Sequence, residues 1–464
     1  MKMPSAGKER MPSLVIKQCK IMPPLVVKYC QLFFKDSFSL QRYVKKQGSL
    51  LHFCEFFNME CTISWFLSEK KGNLQRKSLS PLFSMRKSIL SFALFLLALT
   101  TLTSFTTRGE SQQQQQKRYA LYGVAFYNLE NLFDTIHDAG KNDYEYLPSG
   151  TQKWGKMKYE AKLRNMSRVL SELCTDKLPM GAAVIGVSEI ENSRVLDDLL
   201  KQPALSKRGY KYVDIPSYDR RGVECAFFYN PKFFTLERYF AVQYNYGPTG
   251  KVDDPMLGFT IDAQGKVQAI DSLQGDTTYI TRPFLVMEGK LAGEKMFFIV
   301  NHWPSRAAGD EVRQRAGWQV RQLKDALMKS EPGAKVIIMG DMNDDPGNKS
   351  MTEQLGCKSE EKNVASATDM YNPWYNTLYK VGQGTLLYNG KWNLFDQIVV
   401  SGNLVGKDRS SLKYYQHAIF MRDYLFQQEG KYKGSPLRTH AGGVWLNGYS
   451  DHLPTQIYLI KEVK

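Results

Sequence analysis

Cysteine is scarce wherever this chain has structural pattern. Of its seven cysteines, four fall within residues 1–84, leaving Cys174, Cys225 and Cys357 downstream. Three is an odd set, which excludes a disulfide framework, although one pair stays open. No C-x-x-C and no Cys/His cluster occurs, which excludes a structural zinc site. Long apolar runs are missing too. The longest, Ile89 to Leu99, covers 11 residues, too few to span a bilayer comfortably. No internal repeat is present. Acidic residues are short only at the N-terminal end: residues 1–84 carry 14 Lys/Arg against 5 Asp/Glu, and Arg86 and Lys87 follow. Most of the net charge of +16 therefore sits there. The mild surplus downstream permits polyanion binding without arguing for it.

What is present explains that layout. MRKSILSFALFLLALTTLTSF, from Met85, has two basic residues, an apolar stretch and then small polar residues. This three-part form predicts a signal peptide over 85–106 and an exported protein, periplasmic or extracellular. A buried helix or membrane anchor is the alternative, and no A-x-A marks a cleavage site. A signal does not belong 85 residues into a protein. Residues 1–84 are therefore expected to be an over-extended N-terminus outside the fold, and N-terminal sequencing of the native protein tests this. The Gln-rich stretch 107–117 reads as a linker, and 118–464 as one domain.

Within that domain strand and helix signals alternate. Strands are expected over 119–128, 182–189, 225–229, 282–287, 295–301, 334–341, 391–401 and 455–460. Helices are expected over 156–173, where apolar residues recur at helical spacing, and over 310–329. Residues 240–280 read as a long loop or insertion. The composition, 43% apolar, supplies a sizeable core. The expected fold class is α/β: sheets packed on each other with helices outside.

The polar residues cluster at strand ends. GDMNDDP (340–346) follows the apolar run 334–339. Asn128-Leu129-Glu130, Ser188-Glu189 and Asn301-His302-Trp303-Pro304-Ser305-Arg306 end three other strands. Asp396 lies within an apolar stretch, where an acid needs a partner. Ser450-Asp451-His452 precedes the last strand. Each has an ordinary explanation: Asp and Asn favour turns, an acid suits a first helical turn, and a lone histidine is usually just hydrogen-bonded. Six such coincidences on one domain are harder to accept.

Taken together, N-x-E, S-E, N-H-W-P-S-R, G-D-x-N, D-Q-I and S-D-H resemble the endonuclease/exonuclease/phosphatase superfamily, over about 119–460 and in the family's order. The resemblance implies a two-sheet α/β sandwich with the active site at one edge. It implies Glu130, Glu189 and Asp451 as metal ligands, with Asn128 against phosphate or metal. It implies Asp341 on the attacking water with Asn343 beside it, and His452 as the active-site histidine paired with Asp396. His302 would be a second histidine, a proton donor to the leaving oxygen. The chemistry agrees: carboxylates suit Mg2+, with Mn2+ or Ca2+ as alternatives. Arg306 is a candidate substrate contact, as are Arg313, Arg315, Arg220 and Arg221, unless they are solvated surface charge.

The resemblance leaves the ester open. Asp345 and Asn393-Leu394-Phe395-Asp396-Gln397 replace the arginine and the P-x-W-C-D-R run expected of inositol phosphatases. Export conflicts with a cytoplasmic repair role. The expected substrate is a phosphate ester, foremost nucleic acid, cleaved by a secreted nuclease or phosphodiesterase. A sphingomyelinase-like lipid or small-molecule phosphodiesterase, or a non-catalytic binding module of the same fold, are the alternatives. No obligate protein partner is inferred, and a monomer is expected.

Overall fold

The computed structural model describes residues 117–243, 258–270 and 281–463. The signal at 85–106, the segment 1–84 and nearly all of the Gln-rich linker lie outside the described residues.

The alternation of side chains along a strand explains the architecture. In β1 (Arg118–Leu132) Val124 and Phe126 point one way, and Ala125 and Tyr127 the other. Both sets are fully buried, so β1 must be covered on both faces. It is joined by β2 (Val184–Ile190), β3 (Lys211–Asp214) and β4 (Glu224–Tyr229), and then by β5 (Phe234–Val242) in a second sheet. A hairpin follows, β6 (Phe259–Ile261) and β7 (Val267–Ala269). Then come β8 (Phe284–Leu291), β9 (Glu294–His302), β10 (Lys335–Asp341), β11 (Cys357–Lys358) and β12 (Met370–Tyr371). The C-terminal part holds β13 (Leu386–Tyr388), β14 (Lys391–Asn393), β15 (Asp396–Ser401), β16 (Lys413–Ile419), β17 (His440–Ala441), β18 (Val444–Trp445) and β19 (Thr455–Val463).

Two sheets result, six strands in the order β16-β19-β1-β2-β4-β3 and seven in the order β11-β12-β15-β10-β9-β8-β5. Val124, Phe126, Val184 and Phe227 of the first interleave with Met287, Phe298, Val300, Ile337 and Met339 of the second. The outer face of the first sheet is covered by α1 (Lys156–Glu172) and α2 (Ser193–Lys201) through Leu163, Met166, Leu170 and Leu196. The outer face of the second, with Phe297, Ile299, Val336 and Ile338, is covered by α3 (Asp310–Ser330) through Val320, Leu323 and Leu327. The protein is an α/β sandwich, as expected. The sheets come so close at Gly186 that a Cβ there would lie 2.5 Å from Met339 Sδ.

The differences from the sequence reading are local. The expected strand 391–401 is broken: β14 ends a hairpin turned at Asn389-Gly390, and β15 starts only at Asp396. Between them the Met342 N–H donates to the Phe395 carbonyl, which turns the chain into the second sheet. Within 240–280, read as loop, β6 and β7 pair. Cys174, Cys225 and Cys357 are all buried and unpaired, so the one open disulfide does not form. No helix among the described residues is long and apolar enough to cross a membrane.

Candidate active site

Strand pairing brings the expected residues together. In the second sheet β9 and β10 run parallel with His302 opposite Asp341. On the other side of β10, antiparallel β15 sets Asp396 opposite Asp341. Three strands thus place a histidine and two acids side by side. In the first sheet parallel β1 and β2 bring Asn128 beside Ser188, one residue before Glu189. Ser450 closes the set: its Oγ donates to the Asn128 carbonyl at 2.7 Å and accepts from the His452 N–H at 3.1 Å.

The chain leaves these strands in an unusual way. Glu130, Asn131, Glu189 and Asn343 have φ of 45°, 53°, 61° and 50°, the left-handed region that non-glycine residues avoid. Such strain costs on the order of 1 kcal/mol or more per residue and persists only where the surroundings over-determine it. Its concentration at the ends of three strands, β1, β2 and β10, fits a functional site.

Asp341 Oδ2 is the point of convergence. Asn128 Nδ2 donates to it at 3.0 Å, and the Nε2 atoms of His302 and His452 lie 3.7 Å and 3.8 Å away. Asp341 Oδ1 accepts the Asn343 backbone N–H at 2.9 Å. His452 Nδ1 meets Asp396 Oδ2 at 2.7 Å, with Asp396 fully buried. Burial foremost, together with Asp396 and Glu189, pushes the Asp341 carboxyl up to about 7, against the pull of His452. Burial alone would lower His452, but Asp396 and Asp341 outweigh it and hold the imidazole well above its ordinary range. His452 is thus biased toward the imidazolium, with Nδ1 on Asp396 and Nε2 facing Asp341.

His302 is shifted the other way. Burial foremost, then the positive charges of Arg282 and Arg221, drive it well below the ordinary histidine range. Arg282 is itself buried, donating to the carbonyls of His302 and Trp303 and pairing with Asp219 at 2.9 Å. This shift favours the neutral imidazole, whose Nε2 lies 3.7 Å from both Glu189 and Asp341. Asn343 stands beside Asp341. Its side-chain amide donates to the Trp303 carbonyl at 2.9 Å, so it fixes the β9 end and steadies Asp341 through its backbone.

The three expected metal ligands divide. Glu189 lies beside Asn128, whose Nδ2 is 3.4 Å from Oε1, and its Oε2 accepts the Asn131 N–H at 2.9 Å. Its side chain is 14% exposed and that of Asp451 24%, so both reach the mouth. Glu130 is buried with both oxygens taken, Oε1 by Arg438 at 3.2 Å and Oε2 by the Thr439 N–H at 2.7 Å. Burial foremost, with Asp451 adding to it, lifts this carboxyl to about 7. Glu191 turns the other way, accepting the Asp134 N–H at 2.6 Å. Asp341, Asp396 and His452 are also close enough to share an ion, but His452 Nδ1 is already committed to Asp396. That leaves Glu189 and Asp451 at the mouth, with Asp451 Oδ2 accepting from Arg438 at 2.7 Å, as oxygen donors of the kind a hard divalent cation takes.

The arginines sort by depth. Arg306 lies at the rim, 43% exposed, donating to Asp345 at 2.9 Å and to Asn393, with its guanidinium 4.4 Å from the Phe395 ring. Arg313 is fully buried against Asp344 at 2.8 Å, and Arg315 is buried as well, so these two pack the structure and do not reach a substrate. Asp344 is held by Arg313 and the Ser350 hydroxyl, while Asp345 Oδ1 accepts the Leu394 N–H. Sequence reasoning missed Arg438, Lys162 and Thr385. Thr385 Oγ1 accepts the Asp396 N–H at 3.4 Å and its carbonyl accepts the Leu453 N–H at 2.8 Å. Lys162 did carry a signal: it falls within the apolar stripe of α1, beside Leu163 and Met166.

Residues 123–257 and 257–461 match the model of the Endonuclease/Exonuclease/phosphatase family. A comparison with curated proteins finds no match. Among solved structures, an endonuclease/exonuclease/phosphatase family protein from Bacteroides thetaiotaomicron is 16% identical, covering 75% of this chain and 97% of that one at a TM-score of 0.43. A mannosyl-6-phosphatase from the same organism is 15% identical, covering 73% and 99% at 0.42. The TDP2 of D. rerio, complexed with a single-strand DNA product, is 13% identical, covering 73% and 99% at 0.42.

Proposed function

The chain belongs to the endonuclease/exonuclease/phosphatase family, and from that premise we propose that it is a metal-dependent hydrolase of phosphate esters, exported to the periplasm or the extracellular space, with nucleic acid as substrate. The carrying observation is the convergence of Asn128, His302 and His452 on Asp341 Oδ2. Ester hydrolysis needs an oriented water, neutralised charge on the phosphoryl oxygens and help for the leaving oxygen.

Asp341 orients the water and takes its proton, with its own position fixed by Asn128 and the Asn343 N–H. His452, held by Asp396, turns an N–H toward the phosphoryl oxygens. Glu189 and Asp451 would hold Mg2+, with Mn2+ or Ca2+ as alternatives. A divalent cation bound there supplies Lewis-acid stabilisation of the phosphoryl charge. His302 faces both acids, with Nε2 3.7 Å from Glu189 and from Asp341.

Nucleic acid is favoured by the rim. Arg306 over Phe395 adjoins the β13–β14 hairpin, which carries Trp392 and the two-thirds exposed Tyr388. Aromatic faces beside a cation suit bases and a sugar-phosphate backbone. The hairpin also reaches the centre, because Leu386 bridges to His452. The test is supercoiled plasmid incubated in Mg2+ and in EDTA, with His302→Ala and Asp341→Ala beside the unmodified protein. Metal-dependent nicking lost in both variants is the expected result. Intact plasmid with cleavage of a generic phosphodiester or sphingomyelin would move the substrate to a small or lipid ester. Metal binding without hydrolysis of any ester would leave only a binding module.

A further inference from the structure

Arg438 ties together two of the acids expected to bind metal. Its Nε donates to Glu130 Oε1 at 3.2 Å and its Nη2 to Asp451 Oδ2 at 2.7 Å. Behind Glu130 stands a second cation, Lys162, with Nζ 4.0 Å from Oε2. Lys162 is 2% exposed and fixed by the Thr439 hydroxyl at 2.6 Å and the Tyr449 carbonyl. Glu130 thus sits between two cations and a backbone N–H. With a hydrogen bond on each oxygen and Lys162 behind Oε2, the charge of this carboxylate is already compensated, so a metal ion there would compete with two fixed cations.

The guanidinium is not satisfied in the same way. It carries five N–H donors, and these two bonds use one on Nε and one on Nη2. The donors on Nη1 and the outer side of Nη2 remain, on a side chain 44% exposed. An arginine held at two points is pre-organised, so little rotamer freedom is left to lose when a ligand arrives. Its free end-on edge has the planar fork that matches two phosphate oxygens. Asp451 also brings this fork near the catalytic histidine, since its Oδ1 is 3.9 Å from His452 Nε2.

Building on the phosphate-ester reading above, we propose that Glu130 and Asp451 clamp Arg438 as a fixed cation whose outward edge binds the substrate's phosphate, and that Glu130 is a positioning residue for Arg438, not a metal ligand. Because the recognised group is the phosphate itself, the proposal applies to a monoester and a diester alike.

The experiment uses the full-length protein and two calorimetric titrations. One measures Mn2+ binding, and the other measures inorganic phosphate binding in EDTA and in Mn2+. Arg438→Met is expected to weaken phosphate binding by roughly 10- to 100-fold in both conditions, the scale of a charge-assisted fork. Glu130→Gln is expected to leave the Mn2+ affinity within about threefold while weakening phosphate binding, because its Arg438 anchor loses charge. Glu189→Gln should weaken Mn2+ binding at least about tenfold. If Glu130→Gln costs as much Mn2+ affinity as Glu189→Gln, Glu130 is a ligand and the proposal falls. Unchanged phosphate binding in Arg438→Met overturns it as well, reducing Arg438 to a structural partner of Glu130. Should Arg438→Met fail to fold, Arg438→Lys keeps the charge and removes the fork, and the same loss of phosphate binding is required of it. Plasmid left intact by a protein that still shows Arg438-dependent phosphate binding would sink the nuclease reading alone. Plasmid nicking with Arg438-independent phosphate binding would sink this proposal alone.

Discussion

Buried Glu224 and partly buried Asp214 form an acid pair at the ends of β4 and β3, and their titration ties stability to pH. Glu224 is 4% exposed and heads β4, while Asp214 ends β3. The Glu224 Oε2 and Asp214 Oδ1 atoms are buried without a donor, although Glu224 Oε1 accepts the Ser217 N–H at 2.8 Å. A single proton between the two carboxyls satisfies both orphaned oxygens. Burial foremost, with Asp214 next, lifts Glu224 from 4.5 to about 9, and burial lifts Asp214 from 3.8 to about 6. Both folded values lie above the unfolded ones, so their stabilising contribution is fully present in acid and is lost as pH rises through the folded values. From roughly pH 6 to pH 8 the folded pair holds one proton that the unfolded chain has released. One proton corresponds to about 1.4 kcal/mol per pH unit, hence about 3 kcal/mol over that range. Glu224→Gln removes the titration, and its amide can still accept from Ser217 and donate to Asp214. Other groups titrate in the same window, so the quantity that matters is the difference between the two proteins. Denaturant unfolding at several pH values should show near-equal stability around pH 5 and an advantage for Glu224→Gln that grows toward pH 8. Parallel stability curves for the two proteins would refute the shared-proton account.

Asp396→Asn is expected to lower kcat by roughly 10²–10⁴-fold, because it removes the charge that orients His452. Asp396→Ala should in addition cost about 3–5 kcal/mol in chemical denaturation, since it leaves His452 buried and unpaired. For Asn128→Ala we expect roughly a hundredfold loss of kcat with a much smaller change in KM, measured on the substrate found in the plasmid assay. Gly340→Ala places a Cβ 2.2 Å from the Asn301 carbonyl, with no flexible side chain to give way. It should lower the melting temperature by several degrees or prevent folding, as thermal unfolding followed by circular dichroism would report.

Glu189, His302 and Asp341 were legible from the sequence because each stands where an apolar run stops, and Asp396 because an acid within an apolar run needs a partner. Two covered sheets followed from runs apolar on both faces. Contacts made by long side chains out of loops were not legible. Arg438 lies between Leu437 and Thr439 in a stretch without periodicity, so nothing announced that it would reach Glu130, 308 positions earlier. Short strands such as β3, and β5 with its alternating charges, were missed because an edge strand buries little and its pattern is weak. The charge state of His302 was illegible for a different reason. It depends on Arg282, a neighbour only in space.

The close meeting of the sheets at Gly186 has a consequence for function. Asn128 belongs to one sheet and Asp341 to the other, 213 positions apart in the chain, yet their side chains must hold a single hydrogen bond. The spacing between the sheets is therefore also a catalytic distance. Whatever thickens the core, even one methyl group on Gly186, separates Asp341 from the amide that steadies it. The apolar filling of the sandwich acts as a shim for the chemistry at its rim, so core residues that never approach substrate still help to set the rate.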